Sequence, residues 1–152
     1  TVQKYSGSPV QEGFGTSFQE YSGLPAQENF GSSAKKSSNT LRIKSYQFGV
    51  RMIRLFQYLQ RKREYTISSQ IVRSGTSIGA NVHEASKSES RADFIHKLMI
   101  AHKEMRETVF WLRLLKRGNY LPRGGYRSLR DDVDEIERIL GKAIYTARKG
   151  KG

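Results

Sequence analysis

The sequence predicts an all-α protein: an up-down-up-down antiparallel four-helix bundle preceded by an extended, non-helical N-terminal arm. Three observations carry this expectation. Composition changes near residue 40, from Gly, Ser, Gln, Thr and Asn to a mixture of apolar and charged residues. From Leu41 onward apolar residues recur every three or four positions, the period of a helix with one buried face. The joints between periodic segments are short, so consecutive helices should pack as antiparallel neighbours. The expected domains are an arm over 1–40, a bundle over 41–148 and a short basic tail over 149–152.

The first helix is expected over Leu41–Arg63. Tyr46, Val50 and Ile53 lie on one line, and Phe48, Met52, Leu55 and Leu59 on an adjacent one, together a wide apolar stripe. Thr66 reads as the N-cap of the second helix, whose apolar line runs Ile67, Ile71, Ser74, Ile78, Val82, Ala85. Its flank is small: Ser69, Ser74, Gly75, Ser77, Gly79 and Ala80. Each glycine inside a helix costs about 1 kcal/mol relative to Ala, so their presence implies close approach by a neighbouring helix. In the third helix Ser90 can cap and Asp93 suits the first turn. Phe94, Leu98, Ala101, Met105, Thr108, Leu112 and Leu115 then keep a heptad line. RGNYLPRGG breaks the chain, with Gly118, Pro122, Gly124 and Gly125 as stops. The fourth helix is expected over Tyr126–Arg148, with Leu129, Val133, Ile136, Leu140, Ile144 and Ala147 on one face and Asp131, Asp132 and Asp134 near its positive end.

The arm is a tandem repeat. QKYSGSPVQEGFGTSF (3–18) is followed by QEYSGLPAQENFGSSA (19–34), identical at ten of sixteen positions. Alone, a segment so poor in apolar residues should not fold. Each copy places Tyr, Pro and Phe at fixed intervals, as Tyr5, Pro9, Phe14 and then Tyr21, Pro25, Phe30. These are apolar anchors on an extended strand of about 50 Å, long enough to meet a neighbouring subunit or another protein twice. A flexible linker is the plain alternative.

Charge divides along the same boundary. The chain carries 27 Lys and Arg against 14 Asp and Glu, a net +13, with a pI near 10.2. Lys4, Lys35 and Lys36 balance Glu12, Glu20 and Glu28 in the arm, so the whole excess belongs to residues 41–152. A charge of this size attracts polyanions over long range, which makes RNA or DNA the expected partner. No run approaches the roughly 18 apolar residues of a membrane span. There is no cysteine, which removes disulfides and thiolate metal sites. Cytoplasmic placement is expected, with extracellular placement after removal of a signal segment left open.

RSGTSIGANVHEA (73–85) followed by ESRADFIHKLMIAHKEMRETVFWLRLL (89–115) resembles the core pattern of the 23S ribosomal RNA intervening-sequence proteins. The resemblance covers about 43–120 closely and 126–147 by helical pattern alone, and it does not extend to the repeat. It implies a four-helix bundle assembled as a ring-like homopentamer without established catalytic activity. It also implies kinship to the accessory variability protein of diversity-generating retroelements, a basic pentamer associated with nucleic acid and a reverse transcriptase.

Candidate sites follow from spacing. Arg51, Arg54, Tyr58 and Arg61 recur along the first helix and run into Lys62 and Arg63. Lys103, Arg106, Phe110, Arg113 and Arg117 make a second stripe, opposite the heptad line of the third helix. Cations with an interleaved aromatic suit phosphate contact and base stacking; the plain alternative is two solvated faces. A tight hairpin near 87–90 puts Arg73 level with Met105, so it should pair with Glu104 or Glu107 and fix helix register. Phe110 and Trp111 are surplus to the core and read as an oligomer interface, or as packing beneath the 118–125 loop. His83, His96 and His102 lack the spacing of a metal site; Asp93 and His96 fit a surface ion pair, and no nucleophile or phosphate-loop motif is present. No catalytic residue, metal or cofactor is therefore expected. Two functions remain: a non-enzymatic, oligomeric nucleic-acid-binding scaffold or accessory protein, or a self-assembling subunit whose arm links bundles into a fibre or lattice.

Overall fold

The computed structural model of the chain describes residues 33–150, which form four α-helices: α1 Ser33–Arg61, α2 Thr66–Ala85, α3 Arg91–Arg117 and α4 Arg123–Lys149. Tyr5, Pro9, Phe14, Tyr21, Pro25 and Phe30 of the arm lie outside the described residues. Packing closes a ring in cross-section: α1 on α2, α2 on α3, α3 on α4, and α4 back on α1. Paired contacts give the directions. Along α2 and α3, Glu84 meets Lys97 and Arg73 meets Glu104. Along α1 and α4, Lys44 meets Glu135 and Arg51 meets Asp132. Along α3 and α4, Met99 meets Arg148 and Lys116 lies over Tyr126. Residue numbers rise on one helix as they fall on its neighbour.

The core follows the lines expected from spacing, except that Ile67, Phe94, Ile144 and Ala147 are only half-buried. Phe48, Met52, Leu55 and Leu59 meet Ile71, Ile78 and Val82, then Leu98, Met105, Leu112 and Leu115, then Leu129, Val133, Ile136 and Leu140, all buried. Each such side chain contributes roughly 1.5–3 kcal/mol by leaving water. The second apolar line of α1 does not join them: Tyr46 and Ile53 are exposed and Val50 is half-buried. The small flank of α2 does bring helices close. A Cβ on Gly79 would lie 3.0 Å from the Ser45 carbonyl oxygen of α1. On the far side of α2, the buried hydroxyls of Ser74 and Thr108 sit 3.0 Å apart against α3.

Three boundaries differ from expectation, each for a local reason. Helix α1 begins at Ser33, so 33–40 are helical although they read as arm. Ser, Asn and Thr fall below Ala by well under 1 kcal/mol each, so a helix anchored by buried Leu41 continues back through them. Thr40 Oγ1 donates to the Lys36 carbonyl at 2.9 Å, and Arg42 donates to Asn39 Oδ1 at 3.1 Å. Thr66 does not cap α2. The Glu64 carboxylate does, accepting from the backbone N–H groups of Thr66, Ile67 and Ser68 at 3.1, 2.7 and 2.6 Å. Helix α4 starts at Arg123, so Gly124 and Gly125 lie within its first turn rather than stopping the chain. Burial of Leu121 just ahead and Leu129 just inside fixes that start. Asp132 and Asp134 therefore sit beyond the first turn, where they meet Arg51 and Arg130 instead of the helix dipole. At α3 the expectation holds: Ser90 Oγ accepts from the Asp93 N–H at 3.1 Å.

A candidate nucleic-acid interface

The two basic stripes occupy α1 and α3, which stand diagonally in the ring of helices. They cannot merge along their length. Arg51 leaves the first stripe altogether: its guanidinium turns to α4, ion-pairs with Asp132 and donates to Ser128 Oγ at 2.9 Å and the Ser128 carbonyl at 3.3 Å. A cation on the flank of a helix meets whatever acid its neighbour offers, so the Arg51 guanidinium is engaged in packing α1 against α4. Tyr58 also turns inward, half-buried against the core with the Lys62 ammonium 5.6 Å from its ring centre. Arg54 is half-buried, while Arg61, Lys62 and Arg63 are exposed.

On α3, Lys103, Arg106, Arg113 and Arg117 are exposed, with Met99, Phe110 and Leu114 exposed among them. Phe110 stands edge-on to Trp111, ring centres 4.9 Å apart. The two aromatics differ in role. Phe110 is 53% exposed, whereas Trp111 is half-buried against the core and donates its indole N–H to Glu107 Oε1 at 3.2 Å.

Arg73 reaches across from α2 to both carboxylates, Glu104 at 3.3 Å and Glu107 closer still. The Trp111 N–H, and after it Arg73, hold the Glu107 carboxyl below the usual carboxylate range. Glu107 in turn raises the Arg73 guanidinium above its ordinary value. Lys97 and Glu84 make a second α2–α3 pair at 2.6 Å. His102 lies 3.3 Å from Glu137, while His83 and His96 are exposed. Among the described residues, no group of three His, Asp or Glu side chains is placed to hold a metal ion.

What the fold brings together is the ends of the stripes. Because neighbouring helices run in opposite senses, the α1–α2 joint and the α3–α4 joint share one end of the bundle. Residues 61–66 and 113–127 supply Arg61, Lys62, Arg63, Arg113, Lys116, Arg117, Arg123 and Arg127, all exposed. Eight cations stand there against one acid, a net of seven positive charges out of the chain's +13. That acid is Glu64, buried and engaged in capping α2. The opposite hairpin, 83–93, is different: Lys87 and Arg91 are outnumbered by Glu84, Glu89 and Asp93. Spacing along single helices missed Lys116, Arg123 and Arg127. The signal lay in the composition of the two joints, RKREY and KRGNYLPRGGYR, which are distant in sequence and adjacent only in an antiparallel bundle.

Two comparisons with known proteins match this fold. Residues 37–142 match the family model described as 23S rRNA-intervening sequence protein. The chain is also similar to a crystal structure, at 1.70 Å, of a protein of unknown function from the S23 ribosomal protein family of Bacteroides thetaiotaomicron. The two are 46% identical with a TM-score of 0.71, over 72% of this chain and 98% of that one. No curated protein matches the chain. Among the described residues, no helix is long and apolar enough to cross a membrane. A match spanning most of the four-helix region, together with a neighbour at this identity, places the chain in the 23S rRNA-intervening sequence protein family.

Proposed function

We propose that the protein is a non-enzymatic, oligomeric nucleic-acid-binding scaffold that presents the basic end of its bundle to an RNA or DNA backbone. The observation that carries this reading is the gathering of eight exposed cations in the two joints at one end, whose one acid, Glu64, is turned inward. Unpaired guanidinium and ammonium groups suit phosphate because each contact releases condensed counterions. The family's name, which refers to an intervening sequence in 23S rRNA, supports RNA as the partner. Exposed apolar residues support oligomerisation: Ile43, Tyr46 and Ile53 on the outer face of α1, and Met99, Phe110 and Leu114 on that of α3. In a ring of subunits, pentameric by family resemblance, modest affinity at each end becomes avidity.

The test is a titration of the full chain with labelled RNA and DNA across salt concentrations. Micromolar or tighter binding is expected, with log affinity falling by about 0.7 per phosphate contacted for each log unit of salt. Replacing Arg61, Arg117 and Arg123 together by Gln should flatten that slope. Absence of binding at low salt would refute the proposal.

The sixteen-residue repeat favours a second reading, in which the arm links bundles into larger assemblies. Electron microscopy of the full chain beside one lacking residues 1–32 decides it. The same discrete particles from both would exclude arm-driven assembly.

A further inference from the structure

Resting on the assignment of the basic end as a nucleic-acid interface, we infer that this end selects single strands, stacking unpaired bases on Tyr65 and Tyr120. Four tyrosines lie at or near this end, and they fall into two kinds. Tyr58 and Tyr126 are half-buried, each with a lysine ammonium over its ring, Lys62 at 5.6 Å and Lys116 at 4.5 Å. Tyr65 and Tyr120 are 58% and 38% exposed. Each stands in one of the two joints, close in sequence to cations: Arg63 two residues before Tyr65, Arg117 and Arg123 three residues to either side of Tyr120.

Both rings are mounted on rigid backbone. The Glu64 carboxylate ties three consecutive N–H groups directly after Tyr65. At the other joint, Asn119 takes a left-handed conformation with φ 60°, and the Tyr120 N–H returns to the Leu115 carbonyl at 2.9 Å. The Tyr120 ring rests against Gly118, its Cδ2 only 3.3 Å from where a Cβ on that residue would be. Aromatic side chains carried on a fixed backbone lose less freedom when a base stacks on them than those on a mobile loop. A duplex keeps its base faces inside its own stack and offers these rings nothing. A single strand offers a π-face on every nucleotide with a phosphate beside it, and each joint carries an exposed ring and exposed cations within one short segment.

The experiment is fluorescence anisotropy of the full chain with a labelled single strand of about 12 nucleotides and with its blunt duplex, at matched salt. The strand should bind about tenfold more tightly than the duplex. Tyr65→Ala with Tyr120→Ala should lower strand affinity about a hundredfold, roughly tenfold per lost stack, and leave duplex affinity unchanged. Tyr65→Phe with Tyr120→Phe keeps both rings and should retain strand affinity, with circular dichroism confirming that every variant is folded. Equal affinity for strand and duplex, or an alanine pair without effect, overturns the inference and leaves the end a backbone-binding surface. Failure of both nucleic acids to bind overturns the underlying functional reading as well.

Discussion

Gly75, Gly79 and Gly141 all sit inside helices, so replacing each by Ala brings the same gain in helix propensity, about 1 kcal/mol. What an added methyl meets differs at each. At Gly141 nothing lies within 4 Å. At Gly79 it would stand 3.0 Å from the carbonyl oxygen and 3.3 Å from the carbonyl carbon of Ser45, backbone atoms of α1. At Gly75 it would fall 2.3 Å from Cγ and 2.8 Å from Sδ of Met52, a side chain with no exposure.

Forcing a methyl into a filled core costs about 1–3 kcal/mol. Gly141→Ala escapes that cost and should stabilise by about 1 kcal/mol. Backbone cannot rotate aside, so Gly79→Ala must separate α1 from α2; a mid-range cost of about 2 kcal/mol leaves a net loss of about 1. Met52 is flexible but surrounded, and a cost near about 3 kcal/mol leaves Gly75→Ala about 2 less stable than the parent. Each 1 kcal/mol moves Tm by roughly 4 °C in a domain of this size. Thermal unfolding followed by circular dichroism, at one protein concentration because assembly is linked to stability, should rank Gly141→Ala above the parent, Gly79→Ala below it and Gly75→Ala lowest. If all three substitutions raise Tm alike, the small residues of α2 do not exist to admit a neighbouring helix, and the packing argument fails.

Arg51→Ala should destabilise by about 2 kcal/mol, since it strands Asp132 in a partly covered position, and should leave nucleic-acid affinity as it was; chemical denaturation and the anisotropy titration check the two halves. Glu64→Ala removes the acceptor for three N–H groups at the start of α2 and should cost about 2 kcal/mol, read in the same denaturation series. The Glu107 carboxyl, held below its usual range chiefly by the Trp111 N–H, contributes stability that is present at neutral pH and lost as pH falls through the carboxylate range. Glu107→Gln should therefore show a smaller fall in Tm than the parent between about pH 6 and about pH 3, at a neutral-pH loss of no more than about 1 kcal/mol because the pair is partly exposed.

Sequence reasoning reached the bundle because a buried face writes itself into the period of apolar residues, and reached Arg73 because a tight hairpin fixes register by arithmetic. Arg73 with Glu104, and Glu84 with Lys97, sit at nearly constant residue-number sums. It went astray where one helix alone is ambiguous. Two apolar lines on α1 looked equivalent, but only Phe48, Met52, Leu55 and Leu59 are buried in the core; Tyr46 and Ile53 are left facing out. Arg51 looked like part of a solvent stripe because nothing along α1 reveals that α4 lies on that flank with Asp132. Glu64 was overlooked as a cap because capping is ordinarily sought in the short side chains of Ser, Thr, Asp and Asn. Here a longer carboxylate folds back from a turn in which Arg63 has φ 58°.

The division between paired and unpaired cations leads to a last expectation. Lys44, Arg51, Arg73 and Lys97 lie on helix flanks and meet carboxylates of the next helix, so their charge is compensated within the fold. Among the described residues, none of the eight cations at the basic end ion-pairs with a carboxylate of a neighbouring helix, and their mutual repulsion works against the compact state. Salt screens that repulsion over about 10 Å at 0.1 M ionic strength, so the free protein should be less stable in dilute buffer than at moderate salt. A protein governed by its surface ion pairs would show the reverse order. Adding a saturating single strand in dilute buffer should raise Tm beyond what salt achieves, by the linkage expected of a ligand that binds only the folded form, about 2.7 kcal/mol at a hundredfold excess over Kd. Melting curves at two ionic strengths, each with and without the strand, contain the whole comparison. A free protein that is more stable in dilute buffer would mean that the end carries no unrelieved charge for a polyanion to neutralise.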